Sequence, residues 1–334
     1  MSTTAQHQSD YIAVDKDDGT EAINMIEISV VVPVYCCADC LTALHQRLRT
    51  VLKSLVPSFE IIFIEDCGRD NSWEVLTEIA RQDKAVKVYR LSRNFGQHAA
   101  ITAGLSQSSG NWVIVMDCDL QDPPEEIPFL YEQAIAGYDV VLAKRIQRQH
   151  SLFKKITAKL YFRVLNFLSQ NKLEGDYGTF SIISKKVVNA YLTMNDVNRH
   201  YLFILQWLGF RTTAIEYKHI KRYSGKSSYS LSKLFKHAFD GIFFQTTDLL
   251  KSIVYLGFMV AFLGILLAIY YVYQFLVHGS LPGWTSLSVL ILLTGGFTII
   301  STGITGLYIG KVFEQVKNRP QYVIDKQIVD GVEA

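Results

Sequence analysis

Asp117 and Asp119 stand one residue apart, with Gln121 two further on, in the run Met116-Asp117-Cys118-Asp119-Leu120-Gln121-Asp122-Pro123-Pro124. Two carboxylates and an amide carbonyl are hard oxygen ligands, suited to Mg²⁺ or Mn²⁺. Mg²⁺ takes one or two protein carboxylates and leaves coordination positions for phosphate oxygens. The apolar run Trp112–Val115 comes directly before the cluster and reads as a strand. A cluster at the end of a parallel strand sits where open α/β sheets bind ligands. The segment therefore suits a metal that holds a diphosphate. An acidic loop capping a helix that starts near Pro124 is the alternative, because D-x-D is short and common.

Two further clusters fall at strand ends. Ile28–Val34 leads into Pro33-Val34-Tyr35, and Glu60–Ile64 leads into Glu65-Asp66-Cys67-Gly68-Arg69-Asp70-Asn71-Ser72. A carboxylate at a strand end accepts a base N–H, and a neighbouring Tyr stacks on the base. Each cluster alone is as well explained by helix capping, with Asp70 a candidate cap for a helix over Trp73–Ala80. Together they describe a pocket with base readers on one side and a metal on the other.

The elements that must position these groups alternate. Helical spacing covers Leu41–Leu55, Trp73–Ala80, Ala99–Ser106 and Ile127–Ile135, and Val86–Leu91 and Asp139–Ala143 read as further strands. Continuously apolar strands between helices imply an α/β fold with a parallel sheet covered on both faces. No G-x-G-x-x-G, complete Walker A loop, H-E-x-x-H or G-x-S-x-G is present, which excludes the usual dinucleotide, P-loop, zincin and hydrolase sites. Cys37-Ala38-Asp39-Cys40 has no second pair to complete a zinc site.

The C-terminal third has another composition. Ser252–Val277 and Pro282–Gly310 contain no Asp, Glu, Lys or Arg. Both exceed the roughly 20 apolar residues that cross a hydrocarbon core. Lys251 precedes the first run and Lys311, Lys317 and Arg319 follow the second, while the connector carries no Lys or Arg. The positive-inside rule then places both termini and the N-terminal domain in the cytoplasm, on the inner membrane. Five cysteines fit a reducing compartment, and a net charge of +2 gives no case for nucleic acid.

These residues resemble the inverting nucleotide-sugar glycosyltransferases of the GT-A (Rossmann-like) fold. The resemblance rests on Ser29–Tyr35, Glu65-Asp66 with Asp70-Asn71-Ser72, Asn94-Phe95-Gly96, Met116–Pro124 and Asp176-Tyr177-Gly178-Thr179-Phe180-Ser181, in that order. With two C-terminal spans the chain looks like the polyprenyl-phosphate branch, which includes bactoprenol glucosyltransferases and dolichyl-phosphate mannose synthases. The resemblance implies that Asp66 reads the base, that Pro33 and Tyr35 line its slot, and that Gly96 and Arg145 belong to the donor site. It gives Asp117 the donor ribose or the metal, turns Asp119 and Gln121 toward the metal, and makes Asp119 and Asp176 catalytic. The usual second-strand motif is Asp-Asp-Gly-Ser, and this chain has Glu65-Asp66-Cys67-Gly68 instead.

Two basic amphipathic stretches, 151–170 and 229–247, suit a membrane interface with anionic lipid. Between them Arg222, Lys226 and Ser227 lie in a cationic, hydroxyl-bearing loop fit to close on an acceptor phosphate, with Arg199 a further candidate. Surface ion pairing explains Arg145 and Arg199 equally well.

The expected organisation is a disordered tail over 1–24, a glycosyltransferase domain over 25–222 and a juxtamembrane segment over 223–250. A transmembrane hairpin over 251–311 and a cytoplasmic tail over 312–334 complete it. The implied reaction moves one hexose, glucose, from UDP to undecaprenyl phosphate. The alternatives are a GDP-mannose enzyme or a non-catalytic anchor. Small residues in the spans allow a homo-oligomer, a tetramer among the options.

Overall fold

A computed structural model describes residues 26–146, 177–194, 196, 199–218, 248–278 and 283–334. The strands are β1 (Ile28–Val34), β2 (Phe59–Glu65), β3 (Val86–Leu91), β4 (Trp112–Val115), β5 (Val140–Ile146), β6 (Tyr177–Ser184), β7 (Thr212–Lys218), β8 (Ile324–Val329) and β9 (Val332–Glu333). They form one sheet in the order β7-β5-β6-β4-β1-β2-β3-β8-β9. The helices are α1 (Ala38–Leu55), α2 (Ser72–Gln82), α3 (Gln97–Gln107), α4 (Ile127–Ile135), α5 (Lys185–Thr193), α6 (Tyr201–Leu208), α7 (Asp248–His278) and α8 (Trp284–Val316).

Every residue of β1 is buried because the strand supplies two cores. Ile28, Val30, Val32 and Val34 face one apolar cluster with Leu41, Leu44, Leu48 and Leu52 of α1, while Val31 faces a second with Ala100, Ile101 and Leu105 of α3. Helices thus cover both faces, as continuous apolar strands require. The α3 contact is close: a Cβ on Gly104 would stand 2.2 Å from Val31 Cγ1. That fit holds the N-terminus of α3 against the ends of β1 and β4.

The sheet is mixed, which corrects the all-parallel expectation. β6 runs antiparallel between β4 and β5, and β8 pairs antiparallel with β3. The segment 312–334 is not a tail: α8 runs on to Val316, and β8 and β9 extend the sheet, with Ile328 in the core. Lys218 closes β7 beside the end of β5, and Ile324 opens β8 beside Leu91, the end of β3. The chain therefore leaves the sheet toward α7 and α8 from its carboxyl edge, and rejoins it at that same edge.

At the opposite edge Glu60, 1% exposed, binds the β1, β2 and β3 region together. Its Oε1 accepts from Ser29 Oγ at 2.6 Å and from Ser109 N and Oγ at 2.7 Å, and Lys87 Nζ lies 2.6 Å from Oε2. Burial raises the Glu60 carboxyl, but Lys87, Ser29 and Ser109 outweigh it and hold the group below its ordinary value. A depressed carboxylate stabilises the fold above the unfolded value, about 4.3, and that contribution is lost as pH falls through the folded value. Glu60→Gln should therefore cost about 2 kcal/mol at pH 7. Thermal unfolding at pH 7 and at about pH 4 should show the gap to the parent closing at the lower pH.

Candidate active site

The carboxyl ends of β4, β1 and β2 lie side by side, and the N-terminal end of β6 joins them across β4. The β4–β6 register pairs Val115 with Ser181, so two residues further on Thr179 stands opposite Asp117. Thr179 Oγ1 donates to Asp117 Oδ1 at 2.9 Å, and Gln97 Nε2, from the first turn of α3, donates to the same oxygen at 2.7 Å. Both donors use Oδ1, so Oδ2 is left for a cation. Neither Gln97 nor Thr179 stood out in the sequence as a ligand. The usable signals were the position of Gln97 just after Gly96 and of Thr179 inside the Asp176–Ser181 motif.

Asp119 is 8% exposed, and its Oδ1 accepts the Gln121 N–H at 3.1 Å. That bond folds the loop back at Leu120, whose φ of 58° is left-handed. A β-branched or bulky residue rarely adopts such a φ, and such strain collects at functional loops. Burial first, then the charges of Asp122 and Asp119, push the Asp117 carboxyl up to about 6, while the Thr179 bond acts the other way. The site thus holds more negative charge than its donors neutralise, a deficit that a divalent cation would relieve. Among the described residues no group of three or more His, Cys, Asp or Glu is gathered to hold a metal. Two carboxylates match the number Mg²⁺ takes when phosphate completes its shell. The donor set fits the expected ion.

Asp66 has a structural task. It is 2% exposed, and its Oδ1 and Oδ2 accept the backbone N–H groups of Phe95 and Gly96 at 2.7 and 2.9 Å. The carboxylate ties the end of β2 to the turn before α3, where Gly96 has a φ of 96°. In this structure it is a positioning group for Gln97. Burial raises its carboxyl, and the two N–H groups oppose that rise. Tyr35, at 47% exposure, stands open at the end of β1, and Pro33 is buried within the strand. Asp70 does not cap α2 from the N-cap position, which is Asn71. Its Oδ2 instead accepts from Ala38 N at 3.0 Å and from Ser72 Oγ at 2.9 Å, joining the starts of α1 and α2.

Arg145 takes the ion-pair alternative. Its Nη2 lies 3.2 Å from Asp122 Oδ1, its Nε donates to Tyr217 Oη at 3.0 Å, and Tyr217 Oη donates to Asp122. A Cβ on Gly178 would meet Arg145 Nη2 at 2.8 Å, so the guanidinium lies against the β6 backbone next to Thr179. Its donors serve the scaffold under Asp117 rather than a donor phosphate. Arg199 is buried on the α3 face, with its guanidinium 5.4 Å from the Tyr191 ring and no hydrogen-bond partner for Nε. The next residue, His200, stacks on His98 at 4.4 Å, beside Gln97. Asp176, Arg222, Lys226 and Ser227 lie outside the described residues, as do the segments 151–170 and 229–247.

The model of glycosyl transferase family 2 matches residues 29–192. The chain is 36% identical to the bactoprenol glucosyl transferase of Shigella phage SfII, over 90% of this chain and 98% of that one. It is 38% identical to the undecaprenyl-phosphate 4-deoxy-4-formamido-L-arabinose transferase of Serratia proteamaculans, with 90% and 94% covered. It is also 35% identical to the uncharacterised glycosyltransferase YkcC of Bacillus subtilis, again over 90% and 94%.

Proposed function

The chain belongs to glycosyl transferase family 2 and is a glycosyltransferase, and from that premise we propose that it transfers one hexose, glucose, from UDP to undecaprenyl phosphate with inversion. One observation carries the membrane half of this reading. The chain departs from and returns to the sheet at the edge that holds Asp117 and Asp119, and in between runs through two helices apolar enough to span a bilayer. A site at that edge faces the lipid. That β7 and β8 belong to one sheet supports a topology with both ends of the hairpin on one side of the membrane. Lys251, Lys317 and Arg319 favour the cytoplasm for that side.

The residues divide the work. Tyr35 and Pro33 flank the base, Asp66 and Gly96 fix the α3 turn, and Gln97 and Thr179 aim the Asp117 carboxylate. Asp117, Asp119 and Gln121 would hold Mg²⁺ or Mn²⁺, which when bound neutralises the charge developing on the leaving diphosphate. The nucleophile is an oxygen of the lipid phosphate. Its second pKa is near 6, so it is largely anionic at neutral pH and needs little help from a base. Arg222, Lys226, Ser227 and Arg199 are proposed to receive that phosphate, and Asp176 to orient the reacting groups. Asp176→Asn should therefore retain more activity than Asp119→Asn, measured as initial rates at saturating donor.

A Cβ on Gly295, Gly296, Gly303, Gly306 or Gly310 would meet nothing within 4 Å, which leaves room on α8 for another helix. A homo-oligomer is proposed on that basis. Base choice is tested by titrating the Mn²⁺-loaded protein with UDP-glucose and GDP-mannose. UDP-glucose should bind at least about tenfold tighter, and the reverse order would favour the mannose reading.

A further inference from the structure

The five cysteines of the chain all lie at the carboxyl ends of β1, β2 and β4 or in the first turn of α1. Three of them are sheltered. Cys40 and Cys118 are buried, and the Cys37 thiol donates to the Cys118 carbonyl at 3.5 Å. Contact with the Cys118 thiol, then burial, push the Cys37 thiol well above its ordinary value, and burial pushes Cys40 up to about 12. Thiols held protonated are poor nucleophiles.

Cys36 and Cys67 differ. Cys36 is exposed and Cys67 half-buried. The β1–β2 register pairs Val34 with Glu65, and the Asp66 N–H extends the ladder to the Val34 carbonyl at 2.9 Å. Cys36 and Cys67 each come two residues after that last pair, in the loops that leave these adjacent strands. Adjacent strands run about 4.8 Å apart, inside the roughly 4.4–6.8 Å between Cα atoms that a disulfide bridges. The loops touch as well, since a Cβ on Gly68 would stand 3.1 Å from Cys36 N. Both cysteines have a φ of 51°, in the left-handed region. Non-glycine residues are uncommon there, and strain of this kind collects at switch and ligand loops. Tyr35 and Asp66 immediately precede the two thiols.

We propose that Cys36 and Cys67 are an oxidative modification site, forming a reversible disulfide that closes the base slot when a peroxide reaches it. One thiol reduces the peroxide, forming an S–O bond and releasing water. The second sulfur then attacks the resulting sulfenic sulfur; the S–S bond forms, the S–O bond breaks, and hydroxide leaves with the remaining thiol proton as a second water. Two thiols lose two electrons and two protons, and hydrogen peroxide becomes two waters. The bond draws the loop after Tyr35 onto the loop after Asp66, across the gap a base must enter.

Only the effect on nucleotide rests on the proposed function. The test treats the full chain in detergent with hydrogen peroxide, maps its cysteines by mass spectrometry, and titrates UDP with Mn²⁺ before and after. The expected result is a peptide linking Cys36 to Cys67, two hydrogens lighter than its reduced parts, with UDP binding weakened by about tenfold or more. Dithiothreitol should restore both. Cys36→Ser and Cys67→Ser should bind UDP as the parent does and keep that affinity after peroxide. Links between other pairs, oxidation of single cysteines, or a Cys36–Cys67 link with unchanged UDP affinity would overturn the proposal. If the reduced protein binds no UDP, the proposed function fails, while the mapped link still decides the disulfide.

Discussion

Asp119→Asn is expected to lower sugar transfer by about 10²–10⁴-fold, because several kcal/mol of metal stabilisation are at stake and about 1.4 kcal/mol is a factor of ten. Asp119 and Asp117 are the two carboxylates assigned to the ion among the described residues, and an amide ligand lacks the charge that draws a divalent cation. The fold should not suffer. Asp119 is one of the charges that push the Asp117 carboxyl up to about 6, so removing it relieves repulsion between buried acids. Thermal stability should be unchanged or slightly raised, and Mn²⁺ affinity should fall together with the rate. A variant that loses its fold, or keeps its rate within a few-fold of the parent, contradicts the assignment.

The second large effect is on stability. Asp122 is fully buried and is the ion-pair partner of Arg145, whose side chain is 15% exposed. Among the described residues, Asp122→Ala leaves the buried guanidinium with Tyr217 and nearby Asp117 for company. Breaking a buried pair from one side costs about 3–5 kcal/mol. At roughly 2–4 °C per kcal/mol for a domain of this size, the unfolding midpoint should drop by about 6–20 °C. Replacing both partners by apolar residues of similar volume, Asp122→Leu with Arg145→Met, should recover most of that loss. Differential scanning fluorimetry of the full chain measures both variants. A single variant as stable as the parent would show that Arg145 is not held by Asp122. Activity should fall in the double variant even where stability returns, because Arg145 backs Gly178 and Thr179 and so the Asp117 bond.

The sequence made the first half of the sheet readable because β1, β2 and β4 are buried on both faces. Such strands are apolar without interruption, and their ends carry the polar clusters. β8 gave no such signal. In Ile324–Val329 only Ile328 is buried, and the strand's partner β3 lies far away in the chain. A strand with one wet face, second from the edge of the sheet and placed after two membrane helices, reads as a tail. β6 was visible as a motif but not as an antiparallel strand, since direction depends on pairing that no local pattern encodes. Asp66 shows the same limit at the site. An acid at a strand end is equally good at reading a base and at gripping two backbone N–H groups, and the grip shows only in the path of Phe95-Gly96. Arg145 was an open choice between phosphate and ion pair, and the Asp122–Tyr217 contacts, set by how β5 and β7 lie against the loop after β4, place it in the scaffold.

A metal at Asp117 and Asp119 is proposed to serve transfer of a sugar onto a lipid phosphate. The most direct measurement supplies the purified full chain, in lipid nanodiscs with undecaprenyl phosphate, with a panel of radiolabelled UDP- and GDP-sugars, with and without EDTA. The account predicts organic-extractable label from UDP-glucose, abolished by EDTA and restored by Mg²⁺ or Mn²⁺. Failure of every donor to label the lipid would contradict it, and transfer that survives EDTA would contradict the role given to the two aspartates.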